Sequence, residues 1–155
     1  MKYNTQQVFW VGSVWNNELN QGNIEEIDEL KRVLAFRGIR FIHKHEVSDQ
    51  KNIAFVRKSR IAPAFGGLWQ EKVNLLPIRV FKNISYGQLG ITNILKFKEI
   101  LDDTFINGGS IEELIEYSLS IPKNDYLDLI SAQQEKIKDH TYLDKIASIL
   151  VALER

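Results

Sequence analysis

Short apolar runs, each closed by a turn signal, alternate along this chain with stripes of apolar residues at helical spacing. That alternation restricts the fold more than any other feature. Val8-Phe9-Trp10-Val11 reads as a buried strand stopped at Gly12-Ser13. Ile24, Ile27, Leu30, Val33 and Leu34 then fall on one helix face. Asn23 is placed to cap that helix, Glu25 and Glu26 sit in its first turn, and Gly38 ends it. Arg40-Phe41-Ile42 is a second strand, and a helix follows from Ser48 or Asp49 to about Lys58. Ile61-Ala62-Pro63-Ala64 is a third strand, ending in Phe65-Gly66-Gly67. The stretch from Leu68 to Leu76 reads as helix or irregular structure. Pro77 opens the next helix, where its missing N–H costs nothing, and Gly87 closes it.

Leu89-Gly90-Ile91-Thr92 is a fourth strand candidate, and Asn93 caps a short helix reaching Leu101. Thr104-Phe105-Ile106 would be a fifth strand, closed by Asn107-Gly108-Gly109. Ser110 and Glu113 have the capping-box spacing ahead of Leu114, Ile115 and Leu119, and Pro122 breaks that helix. Two further helices are expected, at about Asp125 to Asp139 and Leu143 to Leu153. Strands alternating with helices imply an α/β fold: a parallel, Rossmann-like, doubly wound sheet with helices on both faces and extra C-terminal helices. With 155 residues, no internal repeat and no low-complexity linker, one domain spanning 1–155 is expected.

Charge and composition exclude several classes. Twenty basic and twenty acidic residues cancel, so the basic excess that drives nucleic-acid binding is lacking. There is no cysteine, which removes disulfides, thiolate catalysis and thiolate metal sites. Residues Met1 to Gln7 carry no secretory pattern, and no stretch reaches the ~18 apolar residues of a membrane helix, so a cytoplasmic protein without a membrane span is expected. Walker, dinucleotide-fingerprint and nucleophile-elbow motifs are missing.

In an open parallel sheet, ligands sit at the carboxyl ends of the strands. The loops expected there are Gly12 to Asn23, His43 to Asp49, Ala64 to Gln70, and Asn93 onward. A helix amino terminus adds free N–H groups and a positive dipole end. Arg79 and Lys82 lie in the first turns of the helix opened by Pro77, so a diphosphate could meet backbone donors and two cations there; the plainer reading is two solvated side chains. His43 and His45 alternate on a strand end and are expected on opposite sides, against a two-histidine metal site; no metal is expected. Trp10, Trp15 and Trp69 are core or cleft aromatics, with Trp69 beside Gly66-Gly67 the candidate of most interest.

The segment from Pro77 to Asn93, with Arg79-Val80-Phe81-Lys82, Ser85-Tyr86-Gly87 and Thr92-Asn93, resembles the Arg-x-Phe-Glu, small residue, Gly, later-Thr stretch of glycosyltransferase group 1 carboxy-terminal domains. The likeness is nearest to the spore-coat-type, glycosyltransferase-like branch. Glu112-Glu113-Leu114, then His140-Thr141-Tyr142 and Lys145, is similar to that family's closing pattern, and Val11-Gly12-Ser13 to its first strand and turn. The resemblance spans about residues 8 to 153. It implies the nucleotide-sugar-binding half of a GT-B enzyme, with a nucleotide diphosphate sugar as donor substrate and no cofactor. By the same resemblance, Gly12 and Ser13 let the backbone approach the phosphates, or form an ordinary turn. Pro63, Ala64 and Phe65 line the nucleobase pocket, or pack the sheet edge. Arg79 and Lys82 meet phosphate, and Asn93 touches sugar or diphosphate, or caps a helix.

Two departures matter. Lys82 stands where the family often has a Glu that accepts from ribose hydroxyls, and lysine has donors only. The acceptor-binding half is not part of the resemblance, and no catalytic residue is identified. Activity would therefore need a separate acceptor-binding domain or a homodimer. The alternative is a non-catalytic nucleotide-binding or protein-interaction module.

Overall fold

The computed structural model describes residues 5–140. The helix expected at 143–153, and Thr141, Tyr142 and Lys145 of the closing pattern, lie outside the described residues.

Strand β1, Gln7–Val11, pairs in parallel with β2, Arg40–Lys44, with Trp10 opposite His43. Three consecutive residues of β1, Val8, Phe9 and Trp10, are buried. Neighbouring side chains on a strand point to opposite faces, so both faces of β1 are covered. Val8 and Trp10 join the apolar cluster containing Ile27, Leu30, Val33 and Leu34 of α1, Ile24–Phe36. Phe9 instead stacks on Phe55 of α2, Asp49–Lys58, with ring centroids 4.9 Å apart.

A second parallel pair joins β3, Ala62–Pro63, to β4, Gly90–Ile91. The described residues thus hold four short strands in two small parallel sheets rather than one five-stranded sheet. Hydrogen bonding explains both shortfalls. Between β1 and β3 the regular ladder is replaced by the Arg60 N–H on the Gln7 carbonyl at 2.8 Å and by Ser59, whose hydroxyl accepts from the Phe9 N–H at 2.9 Å. Beyond β4, the expected strand Thr104-Phe105-Ile106 does not form; Asp102–Thr104 is a 3-10 turn. The amide of buried Gln133 accepts from the Gly90 N–H at 2.7 Å and donates to the Gly90 and Thr104 carbonyls at 3.2 and 3.0 Å. It occupies the edge where a fifth strand would pair.

The remaining helices are α3, Leu68–Lys72; α4, Ile78–Ser85; α5, Lys98–Leu101; α6, Ile111–Ser120; and α7, Lys123–Ile137. Local chemistry sets their ends. Ser110 accepts from the Glu113 N–H at 3.2 Å, and Gly38 and Gly87 take positive φ just past α1 and α4. Asn93 does not cap the next element, a 3-10 turn at Leu95–Phe97 that follows Ile94. A second apolar cluster packs Val80 and Ile84 of α4 against Ala64, Ile94, Phe97, Leu101 and Ile137. Among the described residues no helix is long and apolar enough to cross a membrane.

Candidate functional site

A cleft of about 340 Å³ opens where β1 and β3 end. Val11 at the end of β1 and Ser13 after it, and Ala64 and Phe65, just after β3, form part of its wall. The start of α4 forms another part through Pro77, Ile78, Arg79, Lys82 and Asn83. Positions 79, 82 and 83 share a face because residues three and four apart on a helix are neighbours.

Among the described residues, no side chain caps α4. The Val80 N–H turns back to the Pro77 carbonyl at 3.1 Å, and the N–H groups of Ile78 and Arg79 have no partner among the described residues. Arg79 lies with its guanidinium carbon 4.0 Å from the centroid of the Trp10 ring. No hydrogen bond or carboxylate from the described residues reaches it, and burial pushes its pKa down to about 10. It remains a cation at neutral pH, partly withdrawn from water, with no counter-charge among the described residues. Gly12 makes this possible: at φ +130 it abuts the guanidinium, and a Cβ there would lie 2.1 Å from Arg79 Nη2.

The loop from Gly12 to Asn23 uses its amides on itself. Asn16 Oδ1 accepts from the Asn17 and Gly22 N–H groups, and Asn17 Oδ1 from those of Leu19 and Gln21. Asn23 closes the base, its N–H donating to the Trp15 carbonyl at 2.9 Å and its Oδ1 accepting from the Trp15 N–H at 3.3 Å. It therefore precedes α1 without capping it by its side chain. This tie leaves the Trp15 ring on the cleft wall, 41% exposed.

Of the eight residues singled out from the sequence, Ser13, Ala64, Phe65, Arg79 and Lys82 line the cleft and Gly12 abuts Arg79. Pro63 and Asn93 do not line it. Pro63 is buried in β3 opposite Ile91. Asn93 holds Gly66 from both sides, accepting from its N–H at 3.0 Å and donating to its carbonyl at 2.7 Å. Trp69 is not on the cleft wall; Trp15 is, and Trp10 forms the platform under Arg79. Asn52 and Asn83 also line the cleft; the spacing of Asn83 from Arg79 was the one sequence signal for it.

The two histidines do not face apart. His43 Nε2 lies 2.6 Å from the Gly12 carbonyl and His45 Nε2 3.3 Å from Ser13 Oγ, so both rings reach one turn. His45 lies past the end of β2, where strand alternation no longer governs direction. Among the described residues, no three His, Cys, Asp or Glu side chains gather as a metal site.

No family model matches the chain, and no curated protein or solved structure matches it either.

Proposed function

We propose that the chain is a Rossmann-like donor-binding domain whose cleft takes the diphosphate of a nucleotide diphosphate sugar for glycosyl transfer. The observation that carries the reading is Arg79, a partly buried cation that, among the described residues, has no counter-ion and lies beside an uncapped start of α4. A buried charge left unpaired is costly, and a phosphate supplies what is missing: negative charge and two acceptors in the planar geometry of a guanidinium. Free N–H groups at a helix amino terminus add to the same preference. Lys82, three residues on, contributes a second positive charge to the wall.

The position of the cleft supports the same reading. The Arg60–Gln7 bond and the Ser59 bridge set the two strand pairs side by side, in the order β2, β1, β3, β4. In such an order ligands are expected at the carboxyl ends of the strands. The likeness of residues 77–93 to glycosyltransferase donor domains supplies the sugar; the cleft geometry supplies only the anion.

On transfer, the bond from the sugar carbon to the diphosphate oxygen breaks and charge grows on the leaving phosphate, which Arg79 and the α4 N–H groups would stabilise. The acceptor hydroxyl must also lose a proton. Among the described residues, no carboxylate or imidazole lines the cleft, so the base would come from a separate acceptor-binding domain or a second copy. The same lack, with Lys82 in place of the family's Glu, favours a second reading as a nucleotide-binding module without catalysis. The zero cysteine count fits a cytoplasmic setting for either.

Calorimetric titration with uridine, guanosine and adenosine diphosphate sugars, beside the matching monophosphates, tests the reading. Diphosphates should bind at least tenfold more tightly than monophosphates, since the second phosphate adds charge-assisted bonds of about 1.5–3 kcal/mol. No heat and no thermal shift with any of them at millimolar ligand would remove it. Release of free sugar by the chain alone would instead overturn the view that the base comes from elsewhere.

A further inference from the structure

The turn that abuts Arg79 is gripped by β2. The Gly12 N–H donates to the Lys44 carbonyl at 2.9 Å. The Gly12 carbonyl receives His43 Nε2 at 2.6 Å. A carbonyl can only accept, so Nε2 carries the proton and the ring's role is fixed. Trp10, the partner of His43 across the parallel register, donates its indole N–H to the Ser13 carbonyl at 3.3 Å. These contacts fix both sides of the space that Arg79 occupies: the Trp10 ring on one contact and the backbone of Gly12 on the other.

That arrangement matters because nothing else among the described residues holds the guanidinium. A side chain with four rotatable bonds and no ion-pair partner is oriented by packing alone, and its aim decides how well it meets an anion. The Gly12 side of that packing is set in part, beside the Gly12 N–H on the Lys44 carbonyl, by a hydrogen bond from an exposed histidine that does not itself line the cleft. We propose that His43 is a positioning residue for Arg79: by holding the Gly12 carbonyl it keeps the turn against the guanidinium and the guanidinium on Trp10. The proposal rests on the reading of the cleft as a diphosphate site. It adds that anion affinity is set in part by a residue outside the ligand's reach.

The test uses inorganic pyrophosphate as the probe and the full chain. His43→Leu, which has no donor, should weaken pyrophosphate binding about tenfold, whereas His43→Gln keeps an N–H and should stay within about threefold. On an Arg79→Met background, His43→Leu should have no further effect, because a residue that acts through Arg79 has nothing left to position. An equal loss on both backgrounds, or no loss in the wild-type background, overturns the proposal.

A second measurement needs no ligand. Phenylglyoxal modification, followed by mass spectrometry, reads how accessible each guanidinium is. In His43→Leu the rate at Arg79 should rise several-fold while those at Arg32 and Arg57 stay the same. An unchanged rate at Arg79 overturns the proposal. A changed rate, in a protein that binds no pyrophosphate, leaves the positioning role standing and removes the diphosphate reading instead.

Discussion

Two hollows lie on either side of α3 and carry opposite charge. Among the described residues, the cleft has Arg79 and Lys82 on its wall and no carboxylate. The groove beyond it, about 550 Å³, has Glu25, Glu26, Glu29 and Glu71 and, among the described residues, no lysine or arginine. The same elements serve both: α3 turns Gln70 to the cleft and Leu68 and Glu71 to the groove, while Asn23, before α1, faces the cleft and Glu25, Glu26 and Glu29 of α1 face the groove. The groove is the larger space, so volume does not decide which one selects a ligand. The sign of the charge and its pairing do. Glu25 lies in the open and Glu26, Glu29 and Glu71 are partly exposed, so the groove repels an anion. Arg79 lies against an indole, partly buried, with no carboxylate partner among the described residues. A partly desolvated cation left unpaired has free energy to gain from an anionic ligand.

Removing that charge is the largest break. Arg79→Met should weaken diphosphate binding about 30- to 100-fold, equivalent to roughly 2–3 kcal/mol of charge-assisted hydrogen bonding. The same variant should melt higher, because an apolar side chain of similar length replaces a partly buried cation with no ion-pair partner among the described residues. Calorimetry and a thermal melt on the one protein read both signs. A variant that binds less and is also less stable would mean that Arg79 acts structurally.

Gly12→Ala comes next. Its φ of +130 is a region that L side chains rarely adopt, and its Cβ would fall on Arg79 Nη2. A stability loss of about 1–3 kcal/mol is expected from strain, with binding down about tenfold as the guanidinium is pushed aside. Lys82→Gln should do less, about threefold in affinity and no change in melting temperature, as suits a second cation at the wall.

How far the sequence foretold this depended on whether the deciding interaction was local. The start of α2 at Ser48 or Asp49, the cap Ser110, the stop at Gly38 and the buried face of α1 follow from chemistry within one turn of the residue concerned. Arg79 and Lys82 were visible as a pair because helical spacing sets them on one face. The missing fifth strand was not. Thr104-Phe105-Ile106 has the residues of a strand, but the edge it would join is held by Gln133, 43 residues after Gly90. Gln88 hides the same kind of information: it is fully buried, donating to the Val56 and Ser59 carbonyls and accepting from the Tyr126 hydroxyl. A polar side chain buried to satisfy distant backbone leaves no periodic trace. The Trp10 platform was obscured for the same reason, since it is set by how β1 meets α4 and not by either alone.

The smallest expected effect tests the groove. Burial, and then the charges of Glu25 and Glu71, push the Glu26 carboxyl above its ordinary value, against hydrogen bonds from its own and the Leu68 N–H. A carboxyl whose folded pKa exceeds its unfolded one binds more protons when folded. Its contribution is therefore most favourable below the unfolded pKa and declines as pH rises from there through the folded pKa. Glu26→Gln keeps an oxygen to accept from Leu68 and removes the titration. The variant should be slightly more stable than the parent at pH 7, by about 0.5 kcal/mol or less after solvent screening, and the advantage should vanish at pH 4. Diphosphate affinity in the cleft should not change. Melts at the two pH values, with one titration, separate the hollows: a loss of ligand affinity would mean that groove and cleft are electrostatically one site, and the contrast between them would fail.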